Sequence, residues 1–98
     1  MIRYEVRLEV NPSVAGAVEA YMRATHIPEI MATGHFVRAH FDRAESGVYR
    51  TTYVAETREA FDRYIERHFA RLREDFLAHF PTDIVPAREL WTEQEAWP

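Results

Sequence analysis

Residues 2–10 read IRYEVRLEV, an unbroken alternation that puts Ile2, Tyr4, Val6, Leu8 and Val10 on one side and Arg3, Glu5, Arg7 and Glu9 on the other. A period of two held this long fits a strand and excludes a helix. It also fixes the strand as half-buried, with one apolar face that the rest of the chain must cover and one ionic face that it must not.

Asn11-Pro12-Ser13 follows as an N-cap with proline in the first helical turn, where its missing N–H costs nothing. Val14, Val18, Tyr21, Met22 and Thr25 recur at helical spacing, so a helix is expected over 12–26, ended by Pro28. In the segment HIPEIMATGHF (26–36), Pro28 starts a fresh short turn and Gly34 closes it in the left-handed conformation. Strands are expected at 36–43 and 48–56, joined by a turn ending in Gly47. Thr57 caps a long second helix with the stripe Phe61, Tyr64, Ile65, Phe69, Leu72, Phe76 and Leu77, closed at Phe80-Pro81. A last strand spans 83–91, and Pro86 within it is tolerated only on an edge. The acidic tail 92–98 is expected to be loose apart from Trp97.

The order βαββαβ implies an α+β, ferredoxin-like fold: a four-stranded antiparallel sheet, first and third strands central, with two helices on one face. Residues 1–98 then form one domain. By strand parity the open face carries Arg3, Glu5, Arg7, Glu9, Arg38, His40, Asp42, Arg50 and Thr52, with Phe36, Val48 and Val54 as its apolar rim. Such a face is either solvated, with charges paired across strands, or packed on a second copy as an eight-stranded barrel around a polar cavity.

The chain has no cysteine, which excludes disulfides, thiolate metal sites and a cysteine nucleophile. No signal-peptide pattern or membrane-length apolar run occurs, so a cytoplasmic, bacterial-style protein is expected with no membrane partner. A net charge of -4 argues against nucleic acid. The string GHFVRAHF (34–41) superficially matches an RNA-binding motif, but it falls on the second strand with Val37 and Phe41 facing the helices.

His26, placed at the end of the first helix, is either a cap on the last carbonyls or a general acid–base at the mouth of a pocket between helix and sheet. No histidine pair has the spacing of helical metal ligands, so no metal site is expected. On the second helix, pairs such as Glu59–Arg63 and Arg71–Asp75 read as a solvated, salt-bridged face. Arg73, beside the buried stripe, can present a planar anion clamp.

The segments IRYEVRLEVNPSV, HIPEIMATGHF and HFARLREDFLAHFP together resemble an uncharacterised bacterial family, domain of unknown function 4286, of the dimeric α/β-barrel superfamily. That superfamily also holds cofactor-free monooxygenases, haem-handling proteins and muconolactone-isomerase-like enzymes. The resemblance implies a dimer and a pocket, and His26 is similar to a histidine found near the pocket in some related barrels. The expectation is a homodimer, joined through the open sheet face, that binds or acts on a small polar or anionic compound without a cofactor. His26 is the candidate acid–base, and Tyr4, His35, Tyr53 and Arg73 are the candidate ligand-binding residues. The alternative is a non-catalytic dimeric scaffold module whose histidines only cap and pack.

Overall fold

The computed structural model describes residues 1–98. Strands β1 (Ile2–Val10), β2 (Arg38–Arg43), β3 (Tyr49–Ala55) and β4 (Ile84–Thr92) form one antiparallel sheet in the order β2-β3-β1-β4. β1 is central as its alternation requires: Ile2, Tyr4 and Leu8 are buried, while Arg7 and Glu9 are exposed. Pro86 lies on the edge strand β4, which pairs only with β1.

Two helical arms cover one face. The first contains a short 3-10 turn (Pro12–Val14), α1 (Ala15–Tyr21), a wide π turn (Met22–His26) and α2 (Ile27–Ala32). The second contains α3 (Arg58–Tyr64), another π turn (Ile65–Phe69) and α4 (Ala70–His79). The side chains of Asn11 and Thr57 cap their starts by accepting from the N–H groups of Ser13 and Ala60. The core between arms and sheet has two parts, one built around Tyr4, Tyr53, Tyr64 and Leu72 and the other around Leu8, Val18, Met22 and Phe76.

Four details differ from expectation. Pro28 does not end the first arm, which stays helical to Ala32. In a regular α-helix its ring would press on the carbonyl four residues back. Here the backbone widens just before it, with the Ile27 N–H bonded to the Met22 carbonyl, five residues back. His26 therefore sits inside the arm and caps no terminus. Second, β2 begins at Arg38, and Phe36 is no rim residue: after Gly34 (φ 80°) the chain bends and drops the ring into the core, 4.9 Å from Tyr64 and 5.3 Å from Tyr53. Third, the tail is tied down at Glu93 and not at Trp97. The Glu93 N–H donates to the Met1 carbonyl at 3.0 Å and Arg3 bonds the Glu93 carboxylate at 2.7 Å, so residues 93–97 cross the open face, with Trp97 exposed. Fourth, on the second arm the helical ion pair that forms is Arg58–Asp62 (2.9 Å), not Glu59–Arg63 or Arg71–Asp75.

Candidate functional site: a cleft between the arms and the sheet

Both arms turn positions inward at a constant spacing of four: Val18, Met22, His26 and Ile30 on the first, Tyr64, His68, Leu72 and Phe76 on the second. In a continuous α-helix, twelve residues overshoot three turns by about 120°, which would swing the later positions off the sheet. A π turn absorbs one extra residue and cancels most of that drift. Each arm has its π turn within this stretch, so His26 and His68 remain half-buried on the inward side.

His26, Met22 and Phe69, all from the π turns, line one cleft together with Tyr4, Val6 and Tyr53 from the sheet, Tyr64 and Phe76 from the second arm, and two arginines. Arg73 comes from α4. Arg88 comes from β4, where it shares the helix-facing phase of Ile84, Pro86 and Leu90. Its guanidinium lies over the Phe69 ring, 5.3 Å from the centroid. The enclosed space is about 30 Å³, room for about one ordered water.

The site's electrostatics follow from burial. Desolvation pushes the His26 imidazole down to about 4, helped by the Arg88 charge and opposed by Asp75. It is therefore neutral at neutral pH. Its ring packs 5.1 Å from Phe76 and 5.9 Å from Tyr21, and its Nδ1 is buried without a hydrogen-bond partner. An unpaired buried polar atom costs about 1–3 kcal/mol, so it marks a place for a water or a ligand atom. Desolvation also raises the Tyr4, Tyr53 and Tyr64 hydroxyls, and Arg88 pulls Tyr4 and Tyr64 partly back. All three stay protonated and can donate.

Of the expected site residues, Tyr4, His26, Tyr53 and Arg73 share this cleft, whereas His35 does not. It lies against His68, ring centroids 5.3 Å apart, and burial together with His68, Arg67 and Arg63 lowers its affinity for a proton. Tyr64 and Arg88 were not singled out as site residues by sequence reasoning. Tyr64 read as ordinary core, but an arginine in the inward phase of a strand was a usable signal for Arg88. No three histidine or acidic side chains converge in a way that would hold a metal ion.

The family described as Domain of unknown function (DUF4286) matches residues 1–94, so the chain belongs to that family. No curated protein matches it. Solved structures share the fold at low identity. A variant of SnoaB, a cofactor-independent oxygenase from Streptomyces nogalater, is 18% identical with a TM-score of 0.74 over 99% of this chain and 96% of that one. The ActVA-Orf6 monooxygenase of Streptomyces coelicolor, in complex with nanaomycin D, is 17% identical with a TM-score of 0.75, covering 99% and 90%. A dimeric ferredoxin-like protein from an uncultured marine organism is 15% identical with a TM-score of 0.65, covering 98% and 97%.

Proposed function

We propose that this member of the DUF4286 family is a homodimer that binds a small organic anion at the mouth of the cleft and transforms it without a cofactor, with His26 as the acid–base. The observation that carries this reading is the Nδ1 atom of a neutral histidine, buried without a partner. His26 lines a cleft that Arg73 and Arg88 also line. The space itself is too small for an organic molecule, so the ligand's body lies outside it on Phe69, its anionic group between the two guanidinium groups. One polar atom, such as a hydroxyl, reaches in to His26, flanked by Tyr4, Tyr53 and Tyr64.

A proton affinity as low as that of His26 makes a weak base, but an arriving anion offsets Arg88 and raises it. Binding is therefore coupled to proton uptake as the pH falls toward about 4. Two of the structural neighbours are described as monooxygenases or cofactor-independent oxygenases, which is in keeping with chemistry on a small organic substrate in this fold. One is described as dimeric. The second reading, a dimeric module without catalysis, is favoured by one observation, the small size of the enclosed space.

Thermal-shift screening with aromatic carboxylates and enolisable ketones, on wild type, His26→Ala and Arg88→Met, separates the two. The first reading expects hits whose stabilisation falls in both variants and grows on acidification toward pH 5. Hits that stabilise all three proteins equally, or no hits at all, would favour the module.

A further inference from the structure

The corner HIPEIMATGHF holds one histidine that the cleft does not use. Gly34, at φ 80°, turns the chain so that Phe36 enters the core, and His35 beside it is left half-buried against the second arm. There it meets His68, ring centroids 5.3 Å apart, and His68 in turn packs on Tyr64 at 6.4 Å. His68 lies inside the second π turn, Ile65–Phe69. In a regular α-helix a residue five places on is swung about 140° around the axis. A π turn bonds across five residues and brings that position back toward the first. Arg63, Arg67 and His68 therefore gather on the side of the arm that His35 touches.

Four basic groups share this corner, and the chain does not balance them. Arg63 and Arg67 are exposed and neither forms an ion pair, although like charges at that helical spacing are unfavourable. The neighbouring carboxylate of Asp62 is held by Arg58 at 2.9 Å. His79 finds a backbone carbonyl for its ring nitrogen, whereas the rings of His35 and His68 have no hydrogen-bond partner in the chain. Burial lowers the affinity of His35 for a proton, and the charges that add to this, those of His68, Arg67 and Arg63, are all positive; no carboxylate opposes them.

We propose that His35, His68, Arg63 and Arg67 form an anion site separate from the cleft, suited to inorganic phosphate or a phosphomonoester. A carboxylate has two oxygens in one plane and is satisfied by a single guanidinium group. A phosphoryl group carries three acceptor oxygens and a charge of about −1.5 to −2 near neutral pH. That matches two guanidinium groups together with the N–H donors of two imidazoles. Bound at the corner, it relieves the repulsion between Arg63 and Arg67 and supplies the negative charge that His35 lacks. A divalent metal ion, the other common partner of paired histidines, would be repelled by the same two arginines. The site needs neither a second copy of the chain nor His26, Arg73 and Arg88 of the cleft.

Imidazole NMR spectra of the full chain, titrated with sodium phosphate against sodium chloride at equal ionic strength and neutral pH, test the site. Saturable shifts of the His35 and His68 resonances are expected. Arg63→Gln and Arg67→Gln should each weaken that response about tenfold, and Arg50→Gln, on the outer face of the sheet, should leave it unchanged. Both arginines of the corner are exposed, so their variants keep the wild-type circular dichroism. Phenyl phosphate distinguishes the sources: saturation at lower concentration than inorganic phosphate points to an ester group, and an equal or weaker response points to the free ion. Shifts that do not saturate, shifts that persist undiminished in Arg63→Gln and Arg67→Gln, or a response to zinc chloride with none to phosphate would each overturn the proposal.

Discussion

The neutral state of His26 has a measurable consequence for stability. Its ordinary value near 6.5 falls to about 4 in the folded chain because the imidazolium cannot be solvated there. At about 1.4 kcal/mol per tenfold change in proton affinity, the unfolded chain holds that proton more tightly by about 3 kcal/mol. Above pH 6.5 neither state is protonated and the full stability is present. As the pH falls from 6.5 toward 4, the unfolded state takes up a proton that the folded state refuses, and stability declines across this window. His35 shifts in the same direction, and the lowered carboxylates of Glu19 and Glu93 add further loss on acidification. Comparison with His26→Phe removes these shared contributions. Urea unfolding of the two proteins between neutral pH and about pH 4.5 should show wild type losing about 2.5 kcal/mol more than the variant. Equal losses, or an imidazole resonance that titrates near 6.5, would mean that the cleft is open to water and that burial does not govern this group.

Two further substitutions probe the frame around the cleft. Tyr64→Ala removes a side chain that is 2% exposed and packs on Tyr4 and Phe36, so a loss of about 3–5 kcal/mol is expected in chemical unfolding; a loss below about 1 kcal/mol would show that the core there collapses readily. Gly34→Ala should cost about 1 kcal/mol purely through the backbone, since φ is 80° and an added Cβ meets nothing within 4 Å. A denaturation midpoint unchanged by that substitution would refute the left-handed turn.

The strands were legible because a period of two is an all-or-none signal: one slip would have exposed Ile2, Tyr4 and Leu8 together. Thr57 and Asn11 were legible for a different reason, since capping needs only the local chain. The failures share a cause that is not local. Pro28 breaks a helix by rule, and only the wide turn before it, held by the packing of Met22 and Ile30 on the sheet, makes it compatible with one continuous arm. Phe36 has the parity of a rim residue until the bend after Gly34 is known. Arg88 was hidden because its partners, Tyr4, Tyr64 and Phe69, come from three other elements.

Yet one trace of the cleft was written in the sequence, in the spacing of four that runs through Val18, Met22, His26 and Ile30 and again through Tyr64, His68, Leu72 and Phe76. A straight α-helix has no use for that spacing over three steps, because its buried side drifts by about 40° with each one. The pattern makes sense only if the helix is widened once along its length, at the cost of a disturbed hydrogen-bond ladder. That both arms carry it, each with a half-buried histidine among its inward positions, ties the backbone irregularity to these side chains and not to chance strain in one loop. Without the wide turn, His26 would rotate toward solvent, its proton affinity would return toward that of an exposed imidazole, and the orphaned Nδ1 that makes the cleft chemically distinctive would be satisfied by water.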